Sequence, residues 1–261
     1  KTKENYLQYL LRRLKKLYFL LFFGIAVFLA LNFISEGSFY GIKRILKEAL
    51  LLVTSFGNFK NSTLYNNFSG PFWYFGLMVQ LYLLFPAIYG IVKKVNIYLL
   101  LGIVYFAITG LYFYDRISDF SVMGTVFGHL PEVILGVYFA QKGFTKPNLF
   151  LFLGSIVVFI VSQFYGSLFP LSFLAITIIL LYIISTLLQV MNGYYKQTLL
   201  YIGEISMILF VVNGPMRLLP FFSIENTELR AERIFLYLII LFVISHILYN
   251  IYAFLVKKLK V

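Results

Sequence analysis

Between Tyr18 and Ile34 the chain reads "YFLLFFGIAVFLALNFI", with Asn32 as its one polar side chain and no charge. Backbone amides in hydrocarbon have no water to bond to, so a run like this must close its hydrogen bonds as a helix or in a sealed barrel. Barrel strands alternate apolar and polar residues in pieces of roughly ten. Here the apolar runs are unbroken and about twenty residues long, the length a helix needs to cross a bilayer. Such runs recur along the chain. Only 12% of the 261 residues are charged and 61% are hydrophobic, whereas a water-soluble domain carries about 25% charge. The predicted class is all-α: a polytopic transmembrane helical bundle forming one membrane-embedded domain over residues 1–261. Spans are expected near 17–35, 72–92, 97–114, 126–142, 148–165, 170–190, 198–219 and 234–256, about eight in all.

The first two spans are joined by a connection over 36–70. In it, Ile42, Ile45, Leu46, Ala49, Leu50 and Val53 recur at helical spacing, with Lys43, Arg44, Lys47 and Glu48 between them. That pattern predicts an amphipathic helix near 40–56, lying in the interface or dipping partway in. Orientation follows from the basic residues. With both chain ends in the cytoplasm, fourteen Lys and Arg fall in cytoplasmic segments against the single acid Glu4. The outer segments then hold eight basic residues against seven acids. A net charge of +12 on a soluble chain would point to nucleic acid. Here the basic residues mark span ends, so no nucleic-acid partner is expected. There is no Cys, which excludes disulfides and thiolate metal sites, and no other metal-ligand cluster shows a usable spacing. The chain opens on Lys1 without a visible signal peptide, and a processed or partial chain is expected.

Polar residues inside apolar spans turn toward the bundle interior or a hydrated cavity, because facing lipid costs several kcal/mol. In "VFGHLPEVILGVYFAQKGF", His129 and Glu132 lie three apart, with Pro131 at a first-turn position. They read either as a satisfied pair pinning a helix end or as an acceptor-side, proton-handling pair. Trp73 and Gln80 are seven apart on one stripe of a span that Pro86 interrupts. Gln80 reads as an interhelical tie or as a pocket group. Ser206, Phe210, Asn213 and Arg217 share one helical face, and Asn213-Gly214-Pro215 predicts a break in that helix. His246 and Asn250, at i and i+4, read first as a tie between helices. Arg12 and Arg13, in "LLRRLKKLY", serve either as a positive-inside stop or as a phosphate-binding patch.

Four segments in order, "YLLRRLKKLYFLLFF", "FWYFGLMVQLYLLFPAIY", "GHLPEVILGVYFA" and "YIGEISMILFVVNGPMR", resemble the acyltransferase 3 family of integral-membrane O-acyltransferases. The resemblance implies transfer of an acyl group, usually acetyl, from cytoplasmic acyl-CoA to a hydroxyl of an extracytoplasmic saccharide or lipid-linked glycan. Acyl-CoA enters as donor substrate, and no permanently bound cofactor is implied. Arg12 and Arg13 would lie on the donor side. Trp73, Gln80, His129, Glu132, Ser206 and Asn213 would line the acceptor side. The implied location is a bacterial cytoplasmic membrane. Family members typically have ten spans, and the His assigned as essential stands in the first, about ten positions after a basic residue. No segment here matches that, so the resemblance implies a chain beginning just before the third span, with the general base upstream. Many relatives carry His where this chain has Asn213. The competing readings are a transporter or flippase for lipid-linked saccharides, whose path would be the polar stripe, and a scaffold whose buried polar groups only tie helices. Acceptor identity, acyl chain and oligomeric state are not legible.

Overall fold

The structure, a computed structural model, describes residues 5–36, 42–60, 72–115, 118–143, 148–165, 168–216 and 231–259. Among these residues there are nine α-helices. They are α1 (Tyr6–Glu36), α2 (Ile42–Val53), α3 (Trp73–Lys94), α4 (Ile97–Asp115), α5 (Leu130–Lys142), α6 (Leu149–Phe164), α7 (Phe169–Val190), α8 (Gly193–Met216) and α9 (Ala231–Leu259). Short 3-10 turns cover Phe56–Phe59 and Val126–His129.

Six helices are long and apolar enough to cross a membrane: α1, α3, α4, α7, α8 and α9. The span expected at 126–142 is corrected. Its helix begins only at Leu130, with Pro131 in the first turn, and thirteen residues rise about 20 Å, short of the roughly 30 Å hydrocarbon core. Helix α6, with 16 residues, is also shorter than a full crossing. The break expected at Asn213-Gly214-Pro215 does not occur either. Helix α8 continues through all three to Met216; Arg217 lies outside the described residues. Pro215 removes one backbone donor near the helix end, where the loss is small enough for the helix to persist.

The chain groups into two compact units. One holds α1, α2, the first turn of α3, α9 and α8 from Gln197 onward. Its tightest approach is at Gly24 of α1, where an added Cβ would stand 2.7 Å from Val211 Cγ1 and 3.0 Å from the Phe72 ring. Small residues let membrane helices meet closely in this way. Aromatic rings fill the space around that contact. Phe28 meets Phe72 edge-on at 6.1 Å, and Tyr74 lies 5.1 Å from Phe210. Tyr252 of α9 packs between Phe19 and Phe23, 5.6 Å from each.

Helix α2 forms where the amphipathic helix is expected. Glu48 and Leu52 are buried, while Leu46 and Leu50 are exposed beside Lys43 and Lys47. A face of Leu flanked by Lys suits a lipid and headgroup boundary, since lysine stems lie along apolar surface with the ammonium at its edge. The end of α2 folds back along α1, where the Tyr18 hydroxyl donates to the Val53 carbonyl at 2.8 Å.

The second unit contains the rest of α3 and α4 to α7. Its core is Ile88 and Val92 of α3, Ile97 of α4, and Ile134 and Val137 of α5, with Phe85, Leu101 and Val104 packed against it. Asn96 caps α4, accepting from the Tyr98 and Leu99 amides at 2.9 and 3.3 Å. Asn148 caps α6 by accepting from Leu151 N at 2.7 Å. Each cap satisfies donors a helix start leaves open. Helices α6 and α7 pair through Phe152 and Tyr182, stacked at 4.3 Å. The outer faces are greasy: Phe106 and Phe150 are each 86% exposed, as lipid-facing side chains are.

Candidate active site

The site of interest lies in the second unit, around the connection from α4 to α5. Its sequence, "SDFSVMGTVFGH" over 118–129, is not a continuous helix, yet its backbone is almost fully engaged. Ser121 N donates to Phe59 O at 3.0 Å, and Asn58 Nδ2 donates to Gly124 O at 2.7 Å. The Val122 amide donates to Asp115 Oδ2 at 3.2 Å, and the Gly124 amide to Ser121 Oγ at 3.0 Å. Val126 N donates to Gln80 Oε1 at 2.9 Å. Irregular backbone among apolar helices persists only when protein supplies such partners. At Gly128 an added Cβ would meet Val122 O at 2.7 Å and Met123 Cα at 3.1 Å, so the loop closes only on glycine.

This loop ends on His129, whose Nε2 lies 3.1 Å from the Met123 carbonyl. A carbonyl only accepts, so Nε2 carries the proton. The ring meets Phe173 of α7 edge-on at 5.4 Å. One turn on, Glu132 is different. Both its carboxylate oxygens are buried, and among the described residues only its own backbone amide is near enough to donate to them. The Tyr105 hydroxyl of α4, also buried, lies within electrostatic reach of that carboxylate and is directed toward the Leu174 backbone of α7. A buried polar group left unmatched costs about 1–3 kcal/mol, and more when charged. Two buried polar groups within electrostatic reach of one another single out this end of α5 as the candidate site.

The structure brings Gln80, His129 and Glu132 together around Val126–His129, with Gln80 holding the loop rather than a neighbouring helix. His129 is engaged with the Met123 carbonyl and the Phe173 ring, and Glu132 follows one turn further along the same segment. The other expected residues belong to the first unit. Trp73 is half-buried and stands edge-on to Tyr74 at 6.1 Å. Asn213 accepts from the Tyr237 hydroxyl at 2.5 Å through Oδ1. Ser206 is exposed and donates to the Gly203 carbonyl of its own helix at 2.7 Å. Arg12 and Arg13 are exposed on α1, and the Arg13 guanidinium lies 5.3 Å from the Tyr9 ring centroid. Sequence reasoning missed Tyr105 and Asn58. A tyrosine in an apolar helix carries no signal in a chain with 21 of them.

The acyltransferase 3 model, described as an acyltransferase domain, matches residues 1–250. No curated protein and no solved structure matches the chain. With nearly the whole length matched, and with six helices able to cross a membrane, the chain belongs to the acyltransferase 3 family and is an integral-membrane acyltransferase.

Proposed function

We propose that this protein moves an acyl group, acetyl being the expected one, from cytoplasmic acyl-CoA to a hydroxyl of an extracytoplasmic saccharide or lipid-linked glycan. The membrane is a bacterial cytoplasmic membrane, with both chain ends inside. In the reaction the acceptor hydroxyl oxygen attacks the thioester carbonyl carbon, the C–S bond breaks, and CoA leaves as the free thiol carrying the hydroxyl's proton. The observation that carries the acceptor side is Glu132, whose two buried oxygens accept from no other residue among the described ones. A sugar hydroxyl is the donor such a carboxylate lacks, and the Tyr105 hydroxyl beside it offers a second hydrogen-bonding group to a polyol. Charge supports the donor side. Arg12 and Arg13 are exposed on α1, at the basic end of that helix, and paired guanidinium groups suit the phosphates of CoA.

The test replaces Glu132 by Gln and by Ala, and Tyr105 by Phe, in the full protein in native membranes. Transfer of radiolabelled acetyl from acetyl-CoA to membrane saccharide is measured beside protein accumulation. Glu132→Gln is expected to lower transfer by about 10-fold or more, the scale of one lost charge-assisted hydrogen bond to the acceptor, with accumulation unchanged. If accumulation falls in step with transfer, or if Glu132→Gln transfers acetyl at the parental rate, Glu132 does not hold the acceptor.

A further inference from the structure

A second polar cluster lies away from Glu132, in the first unit, on α8 and α9. Tyr201 of α8 is in close hydrogen-bonding contact, hydroxyl to Nδ1, with His246 of α9. Asn250, one turn along α9, places Nδ2 at 3.0 Å from the His246 backbone carbonyl and at 3.2 Å from His246 Nε2. We propose that Tyr201, held by His246 and Asn250, is a binding site for the carbonyl oxygen of an acyl ester or thioester.

A carbonyl faces an amide N–H and not another carbonyl oxygen, so the backbone contact fixes Nδ2 as the nitrogen. Its second hydrogen points at His246 Nε2, which therefore accepts. A neutral imidazole that accepts at Nε2 carries its proton on Nδ1. Nδ1–H donates to the Tyr201 oxygen, and the phenol hydrogen is left to point elsewhere. Among the described residues no acceptor meets it. A phenol oxygen that is itself accepting a hydrogen bond becomes a stronger donor. Tyr249 stands edge-on to the Tyr201 ring at 6.2 Å and 89°, which holds the ring in place.

Three features select the ligand. His246 and Asn250 are exposed, although they lie within a candidate span; a pure tie between helices would shelter its polar atoms. Tyr201 stands five residues from Lys196, about 7 Å along α8. With Lys196 at the headgroup level, that is the depth of acyl carbonyls. Glu204, one turn further on α8, is also exposed. It would repel a phosphate and leaves a neutral acceptor favoured.

The carbonyl can come from acyl-CoA or from a bilayer glycerolipid. The acyl-CoA source rests on the acyl-transfer reading above; the lipid source and the proton placement do not. In the full protein in nanodiscs, nitrogen-15 NMR reads the His246 tautomer. Carbonyl infrared difference spectra are recorded with carbonyl-labelled acetyl-CoA in diether-lipid discs, and separately in diester-lipid discs without CoA. Tyr201→Phe keeps the ring and removes the hydroxyl, and Asn250→Leu removes the orienting amide. The expected result is an Nδ1–H His246 that loses its preference in Asn250→Leu. A downshifted carbonyl band should also appear in one arm and vanish in Tyr201→Phe; the arm identifies the source. An Nε2–H His246 overturns the proposal. So does an Nδ1–H His246 with carbonyl bands that Tyr201→Phe leaves unchanged in both arms.

Discussion

Substituting Gly128 tests the idea that the α4–α5 connection is a fitted plug holding the acceptor-side groups. A Cβ at this position would stand 2.7 Å from the Val122 carbonyl oxygen and 3.1 Å from Met123 Cα. Ordinary contact begins at 3.4 Å, so the loop must retreat by about 0.7 Å. Both obstacles are backbone, and Val122 is itself pinned through its amide to Asp115. Forcing a methyl group into a packed site costs about 1–3 kcal/mol. That lowers the folded-to-unfolded ratio roughly fivefold to more than a hundredfold. Gly136→Ala is the control: it lies in the same segment, in α5, with nothing within 4 Å of its added Cβ. That change is expected to be neutral or to stabilise by up to about 1 kcal/mol, the usual gain of Ala over Gly in a helix. Unfolding in mixed micelles with rising SDS, read by Trp73 fluorescence, gives both values, and acetyl transfer is measured in parallel. Gly128→Ala should lose stability and transfer together, because the displaced loop carries His129 and precedes Glu132. A Gly128→Ala protein as stable and active as Gly136→Ala would refute the fitted-loop reasoning.

Gln80→Leu strips the buried Val126 amide of its acceptor and should cost about 1 kcal/mol, the scale of a lost buried hydrogen bond. Gln80→Glu keeps an oxygen there and should cost less at the loop; hydrogen exchange at Val126 distinguishes the two. In the first unit, Gly24→Ala should destabilise by about 1–3 kcal/mol. Val211→Ala should recover part of that loss, since the obstacle is the Val211 side chain. A double-mutant cycle with no coupling between the two positions would remove Gly24 as the α1–α8 contact.

The helices were legible because their signal is local. An apolar run of twenty residues states its own conformation, and the positions of α1, α3, α4, α7 and α9 follow from it. The caps at Asn96 and Asn148 are local too. The loop over 118–126 was not legible, because its bonds reach Asn58 and Gln80, 66 and 46 residues away in sequence. Local pattern carries no record of such pairings. His129 and Glu132 drew notice as polar residues in greasy surroundings, but spacing could not tell that one is satisfied and the other open. His246 and Asn250 read as an interhelical tie, and His246 does reach across to α8; only its partner Tyr201 was invisible, among many tyrosines. On α2, the apolar stripe announced the helix, but nothing local marked Glu48 as a side chain that turns inward, where a charge is least expected.

That inward Glu48 has a consequence for how the chain enters the membrane. Tyr18 and Glu36 are eighteen residues apart on α1, about 27 Å, so the bond from Tyr18 to Val53 sends α2 back alongside the helix before it. A short segment bearing a carboxylate has no stable residence among acyl chains by itself. In the folded chain its carboxylate is buried within the first unit, so α2 settles at membrane depth only together with the rest of that unit.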